Sequence, residues 1–450
     1  MIKKNDILEV EILNLGCNGE GVAKVDGVVI FVPYTLPGEI VKIQIINTRQ
    51  KAYIGKVLEI LKPNMDRVDP KCPYFSKCGG CQLQHLKYEA SLIFKQQLVS
   101  DAIQHIGKIK CKINNCESSD KNYFYRNKLA LPFDSKNGLI GMFRTNSHSI
   151  VNIENCYIQE PWCKDLIAIF NDYVMTNQIS IYDEITGKGL IRHLVARMAN
   201  NKILISVVIN GKVLPYREYL INKLNEKFNE FGLNINVNMT NSNVIMTDNF
   251  KHIYGLKEIE IEEYGVKYNI NNASFMQVNE YIKRKIYNAV LDEVSTSDII
   301  IDAYSGAGLL TAILSKKCKF AYGIEIVKPA VDIANYLKTC NNISNMQNIC
   351  GDTTKELPKL IKKINSDFSV VLDPPRKGCS ALVMETLAKV EPKKVIYISC
   401  NPSTLARDLR TFLDANSNYE IKKIQPFDMF PNTKHVETLA VLETVKEAKL

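Results

Sequence analysis

The sequence predicts an α/β protein whose C-terminal part is a doubly wound parallel sheet, preceded by a small β-rich unit and a central α+β region. Three observations carry that expectation. From about Asn279 the chain alternates strand, glycine turn, helix and strand, as in Ile299-Ile300-Ile301-Asp302, Ser305-Gly306-Ala307-Gly308 and Ala321-Tyr322-Gly323-Ile324-Glu325. Such alternation argues for parallel strands joined by crossover helices. Residues 1 to 60 instead alternate apolar and polar positions between glycines, as in Gly27 to Pro33 and Glu39 to Ile45, the pattern of short half-buried strands. Finally, 450 residues exceed one ordinary core, and a prior of about 150 residues per domain suggests three.

The hydrophobic fraction of 46% and charged fraction of 23% are those of a globular protein rather than a disordered or fibrous one. No segment reaches the ~18 uninterrupted apolar residues of a membrane span, and Met1 to Val10 has no apolar h-region or small-residue cleavage site. The expectation is therefore a cytoplasmic protein without a membrane partner, and no protein partner is predicted. Its thirteen cysteines should be reduced thiols there, so their spacing matters more than their number. The net charge of +9 hints at a polyanionic partner. Its distribution says more: residues 61 to 130 carry twelve Lys/Arg against six Asp/Glu, while residues 1 to 60 balance at seven each.

That basic stretch surrounds Cys72, Cys78 and Cys81, spaced C-x5-C-x2-C with Gly79-Gly80 inside the tighter pair. The spacing is a metal-site signal that needs a fourth ligand, for which Cys111, Cys116, Cys156 and Cys163 are candidates. Spacing alone would favour zinc, but four cysteines serve iron-sulfur clusters as well. From Lys87 to about Ile106, Leu92, Phe94, Leu98, Ala102 and Ile106 mostly recur at helical spacing. Residues 123 to 270 mix strand-like runs, Leu190 to Val195 and Ile203 to Ile209, with a helix-like stretch near Tyr216 to Phe231.

In the C-terminal part, a strand runs into the turn Tyr304-Ser305-Gly306-Ala307-Gly308, whose glycines let backbone N–H groups approach a ligand at a helix N-terminus. Glu325 ends the next strand, where an acid would hold ribose hydroxyls. The turn lacks the third glycine of the dinucleotide fingerprint, which weakens a pyrophosphate reading. Asp352 and Asp373 follow strand-like or loop segments on the same edge. Tyr304, Gly306, Gly308, Glu325, Asp352 and Asp373 are therefore the candidate cofactor contacts. Val395-Ile396-Tyr397-Ile398-Ser399-Cys400 places a cysteine at the C-terminal end of a buried strand, the edge where open parallel sheets bind ligands.

The run Gly19 to Lys24, with Phe31-Val32-Pro33 and Leu36-Pro37-Gly38-Glu39, resembles the TRAM domain, an OB-like barrel found on RNA-modifying enzymes. Asp373-Pro374-Pro375-Arg376-Lys377-Gly378, Ser399-Cys400-Asn401-Pro402 and Phe427 to Glu437 closely resemble the RNA uracil-5-methyltransferase family. The likeness extends to Asn272 to Asn279, to Tyr125-Arg126-Asn127-Lys128 and to Gly141-Met142-Phe143-Arg144, and so over nearly the whole chain. It implies a Rossmann-like methyltransferase domain using S-adenosyl-L-methionine, with Cys400 as nucleophile, Glu437 as base and Gln277 on the cofactor. It also selects Cys156 as fourth ligand and implies a [4Fe-4S] cluster. A cluster so far in sequence from Cys400 is expected to fold the basic region for RNA, without a redox role.

The chemistry gives a reason for such a pair. C5 of uracil is too weak a nucleophile to attack a sulfonium methyl unaided, and a thiolate adding to C6 turns C5 into an enolate carbon. A base must then remove the C5 proton so that the thiolate can leave. The expected organisation is an OB-like TRAM β-barrel over 1–60, a central α+β RNA-binding region with the cluster cysteines over 61–270, and the methyltransferase domain over 271–450. Family members with both barrel and cysteines act mostly on 23S rRNA, which is the expected substrate, with tRNA the runner-up. Two positions depart from the family: Ser305 stands where Cys is common and Asn432 where Gln is common.

Rival readings are an amino-group methyltransferase, whose acidic Pro-Pro motif is usually followed by an aromatic residue where Arg376 stands here, and a cytosine-5-methyltransferase, which would lack the Glu437 motif. A noncatalytic RNA-binding assembly factor is the rival from another class, and an intact Cys400 and Glu437 argue against it.

Overall fold

The computed structural model describes residues 2–48, 53–274, 276–296, 298–364 and 366–445. Phe275, part of the motif Asn272 to Asn279, lies outside the described residues, as do the extreme ends of the predicted first and last domains.

Near the N-terminus six strands form one sheet in the order Ile7–Glu11, Ile40–Asn47, Tyr53–Lys62, Val28–Val32, Gly21–Val25, Asn14–Leu15. Val10, Ala23, Ile30, Val32, Val41, Ile43 and Ile45 point to one side and make its core, as period-2 alternation requires. Among the described residues no ladder joins the two edge strands into a closed barrel. They are consecutive in the chain, and the Ile12–Leu13 corner between them is pinned by amides donating to Glu39 O and Val22 O at 2.9 and 2.8 Å.

The central region holds a five-stranded sheet in the order Phe250–Gly255, Phe231–Val237, Lys202–Ile209, Ile191–Ala199, Lys128–Pro132. Helices Trp162–Thr176 and Arg217–Asn225 share its largest apolar cluster. The helix expected near Tyr216 to Phe231 stops early, and Phe231 opens a strand instead. Phe228 and Phe231 mimic helical spacing. Yet a Cβ at Gly232 would stand 1.9 Å from Leu256 O, so that glycine is needed where two backbones approach within a sheet.

The C-terminal sheet has seven strands in the order Met346–Cys350, Phe320–Glu325, Ile299–Ala303, Phe368–Leu372, Lys394–Ser399, Glu437–Thr444, Tyr419–Phe427. The first five are parallel and the last two antiparallel. Alternation sorts the two faces: Val370, Val395 and Tyr397 pack toward Val383, Leu387, Leu405 and Phe412, while Val371, Ile396 and Ile398 pack toward Ile282, Ile286 and Val290. Both faces are covered, which explains why these strands read as continuous apolar runs.

We keep the three-part division at residues 60 and 270 as a proposal. One helix of the middle part packs into the C-terminal part. The amphipathic segment predicted at Lys87 to Ile106 is an α-helix over Tyr88–Asp101 that continues as a π-helical turn over Ala102–Ile106. Its Val99, Ala102 and Ile103 lie in the C-terminal core with Leu405 and Phe412. The following chain adds to the sheet edge, where Asn114 N donates to Ile424 O at 3.0 Å and Glu117 N to Pro426 O at 2.9 Å.

Lys95 on that helix is fully buried against fully buried Asp428, and its Nζ also donates to Phe430 O at 3.0 Å. Removing one partner of such a pair strands the other charge in the interior. Lys95→Ala should lower unfolding stability by about 3–5 kcal/mol in urea titration, and Lys95→Met with Asp428→Asn should recover most of the loss. A single variant within 1 kcal/mol of the parent, roughly the worth of an exposed pair, would show that the pair is not structural.

Candidate active site

Strand Lys394–Ser399 ends where Asn401 caps the next helix, Pro402–Ala415. The Asn401 side chain accepts from Ser403 N at 3.0 Å, and proline at the first helical position suits that start. Cys400 is thus fixed between a buried strand and a capped helix. The same turn braces the Asp373 to Gly378 loop, because Asn401 Nδ2 donates to Arg376 O at 3.3 Å.

Glu437 begins strand Glu437–Thr444 and is 6% exposed. The antiparallel register sets Ser399 opposite Thr438. One step further along the same register brings Cys400 to face Glu437. Both line a cavity of about 770 Å³, together with Gln277, Asp373, Arg376 and His435.

The electrostatics of this group are uneven. Burial pushes the Glu437 carboxyl up to about 8, with Asp373 adding to the rise and Arg376 opposing it. Desolvation by the surrounding protein also raises Asp373 to about 6, although the residue is exposed on the cavity. The Cys400 thiol is raised by burial and by Glu437, and again Arg376 pulls the other way. His435 is held down to about 4 by burial and by Arg376, so it is neutral at pH 7. Arg376 is therefore the cation that favours the thiolate and the carboxylate together. Sequence reasoning used it only to argue against an amino-group substrate.

The remaining candidate cofactor contacts occupy the neighbouring strand ends. Tyr304, Gly306 and Gly308 have φ of 75°, 54° and 79°, the left-handed region that glycine adopts freely and tyrosine does not. Gly308 is also needed for packing, since a Cβ there would stand 2.6 Å from Ala334 Cβ, whereas one at Gly306 would meet open space. Glu325 accepts from Gly306 N at 3.0 Å and Val327 N at 2.8 Å, tying the turn to the next strand. Beneath it Asp302 is buried and raised to about 7 by burial and by Asp373 and Glu325, while Thr311 Oγ1, donating at 2.6 Å, lowers it. Asp352 caps helix Thr353–Ile361, accepting from Thr354 N at 2.8 Å, and the hydrogen bonds from Thr354 hold its carboxyl below the usual range. Gln277 comes from outside the sheet, its carbonyl accepting from Asn127 Nδ2 at 3.3 Å.

Cys72, Cys78, Cys81 and Cys156 line the same cavity as Cys400. The other candidates do not: Cys163 turns its thiol to Gln159 Oε1 at 3.8 Å, and Cys111 and Cys116 pack with the C-terminal core. Burial raises all four thiols, Cys156 to about 11, and charge on the others raises Cys81 and Cys156 further. Gly80 N donates to Cys78 Sγ at 3.3 Å. Among the described residues no group of three or more His, Cys, Asp or Glu is arranged to hold a metal ion as the side chains stand. The donor set, four soft thiols on one wall whose ionised forms repel each other, suits a thiolate-bound cation centre. Cysteines far from Cys400 in sequence thus share a cavity with it.

Strand order and strand-end acids define a Rossmann-like methyltransferase fold. The model of the tRNA (uracil-5-)-methyltransferase family matches residues 87–445, and the chain belongs to that family; the TRAM domain matches residues 3–58. An uncharacterized RNA methyltransferase of Clostridium tetani is 37% identical over 98% of this chain and 97% of its own length. One from Clostridium acetobutylicum is 36% identical over 99% and 98%. The crystal structure of Pyrococcus abyssi tRNA (uracil-54, C5)-methyltransferase in complex with S-adenosyl-L-homocysteine shares the fold, with TM-score 0.77 and 24% identity over 97% of this chain and 100% of that one. Among the described residues no helix is long and apolar enough to cross a membrane.

A folded-state pKa of about 8 for Glu437, against an ordinary 4.5, means that the fold disfavours the ionised form. That cost is absent below the ordinary value, grows as pH rises and is complete above the folded value. Glu437→Gln should therefore melt with the parent at pH 4 and above it at pH 9 in scanning calorimetry. A variant that melts lower at pH 9 would mean that the carboxylate is stabilised by partners in the folded state.

Proposed function

We propose that this chain methylates C5 of a uridine in 23S rRNA with S-adenosyl-L-methionine, through a covalent bond between Cys400 and C6. The observation that carries the reading is the Cys400–Glu437 pair, one residue just past the end of one strand and one at the start of its neighbour, lining one cavity with Arg376. Cys400 Sγ as thiolate adds to C6, and the electron pair of the C5–C6 bond moves to C5 and the O4 enolate. S-adenosyl-L-methionine, when bound, supplies the methyl group that C5 takes up. Glu437 then receives the C5 proton, the C5–C6 double bond re-forms and the C6–Sγ bond breaks, returning the thiolate. Arg376 favours the anionic forms that both residues need at their turn.

The cofactor reading is supported by Asp302, whose ionisation is opposed by the nearby charges of Asp373 and Glu325. A cationic sulfonium ligand relieves that repulsion, whereas a pyrophosphate would add to it. Tyr304, Gly306, Gly308, Glu325, Asp352 and Gln277 would complete its site. Cys72, Cys78, Cys81 and Cys156 would hold a [4Fe-4S] cluster that shapes the cavity wall for RNA without a redox step. The reduced thiols this requires fit a cytoplasmic protein.

The combination of TRAM domain and cysteine wall supports 23S rRNA. Fold likeness to an enzyme named for tRNA supports tRNA as the second reading. Both RNAs, transcribed with 5-fluorouridine, should be offered to the purified protein, because fluorine cannot leave C5 as a cation and the covalent complex is trapped. A denaturation-resistant adduct is expected with 23S rRNA and none with Cys400→Ala. An adduct with tRNA alone would reassign the substrate, and one formed by Cys400→Ala would exclude the nucleophile. On ordinary RNA, Glu437→Gln should accumulate a methylated adduct while free 5-methyluridine falls by about 10²- to 10⁴-fold.

Protein purified without air should be brown and contain iron and sulfide in cluster stoichiometry, and Cys156→Ser should lose both. Colourless protein carrying zinc would replace iron with a structural zinc site.

A further inference from the structure

Three cations on the central region have no anionic partner. In the ladder between Lys128–Pro132 and Ile191–Ala199, Arg197 stands directly opposite Lys128. Residues directly opposite share a face of the sheet, and like charges so placed repel. Lys128 and Ala130, two residues apart on that face, line the cavity that holds Cys400 and Glu437, and Arg126 lines it too. Arg197 is 2% exposed, and its Nη1 is buried without a hydrogen-bond partner.

The surroundings do not neutralise this group. Among the described residues none of the three makes an ion pair, and no interaction of theirs is left unstated. Glu160, whose amide bonds to Arg126 O, turns its carboxylate to Trp162 Nε1 at 2.7 Å and is drawn by Lys121. Burial, Arg197 and Arg126 together lower Lys128 to about 8, and burial lowers Arg197 to about 10. A buried guanidinium left unpaired beside a second cation destabilises the free protein. A fold keeps such an arrangement where an anion arrives to complete it.

We propose that Lys128 and Arg197, with Arg126 at the rim, bind a backbone phosphate of the RNA next to the nucleotide whose base enters the cavity toward Cys400. The inference rests on the proposed RNA substrate and adds where its backbone is held. A guanidinium already stripped of water presents a fixed fork to phosphate oxygens, and the ammonium opposite supplies a second donor from the same face. The phosphate would fix the register of the strand, so that one base and not its neighbour reaches the thiol.

The test compares parent, Lys128→Met and Lys128→Met/Arg197→Met, purified with their metal content. RNA binding is measured by filter retention from low to high potassium chloride, cofactor binding by calorimetry, and melting without RNA. Each lost cation should weaken RNA binding roughly tenfold, and loss of the one phosphate contact should reduce the salt slope by up to about 0.7 in all. Cofactor affinity and iron content should stay unchanged, and melting without RNA should stay or rise as the repulsion is removed. Unchanged RNA affinity and slope would overturn the proposal. So would loss of iron or of cofactor binding with RNA affinity intact, which would assign the cations to the cysteine wall or to the cofactor's carboxylate. Should the double variant fail to fold, Lys128→Met alone, at a half-buried position, gives the same readout. A parent protein that binds no RNA would sink the functional reading itself.

Discussion

The buried ion pair between Lys95 and Asp428 is the constraint on which the site depends. It nails the helix Tyr88–Asp101, which belongs by sequence to the middle of the chain, onto the loop that leads to Glu437. Other regions grip the same loop. Asn279 Nδ2 donates to Met429 O at 3.2 Å, Tyr125 OH to Pro431 O at 3.0 Å, and Asp428 N to Glu117 O at 2.9 Å. A carboxylate meant to sit opposite one thiol needs a loop with no freedom, and hydrogen bonds from distant segments supply that rigidity.

The site itself is assembled from groups that the fold holds at a cost. Glu437, Asp373 and Asp302 are carboxyls whose ionised forms burial opposes, and Arg197 is a buried cation without a partner at Nη1. Acids gather at the strand ends of the C-terminal sheet, and unpaired cations gather on the central sheet. A ligand of the opposite sign would relieve each set, and its binding would offset the cost of folding these residues.

Elements set by local pattern were legible in the sequence. Ile299–Ala303, Phe320–Glu325 and Lys394–Ser399 stand within a residue of their predicted bounds, because apolar runs bounded by glycines or capping residues leave little choice. The position of Cys400 at a strand end followed from the same reasoning. Pairings made across hundreds of residues left no local trace. Neither the docking of Lys95 on Asp428 nor the charge on Lys128 opposite Arg197 can be read from spacing. The strand at Phe231 was hidden because its glycine answers to the backbone of Leu256 rather than to its sequence neighbours. Arg376 was visible as a residue but not as an influence on two others, since its effect on Cys400 and Glu437 exists only once three strand ends meet.

Asn432, one of the two departures from the family pattern, shows how the cysteine segment reaches the chemistry. Its φ is 67°, a conformation asparagine tolerates far better than most side chains. In that posture its carbonyl accepts from Gln82 N at 3.1 Å and Leu83 N at 3.0 Å, the two residues that follow Cys81. The Gln82 side chain in turn accepts from Lys434 N at 3.3 Å. The backbone that carries the cysteines therefore also supports the loop that ends in Glu437, with three hydrogen bonds and no intervening element. Whatever fixes Cys81 fixes Gln82 and Leu83, and through them the approach of Glu437 to Cys400. A centre bound by those thiols would steady the base as well as the RNA surface, by geometry alone and without exchanging an electron.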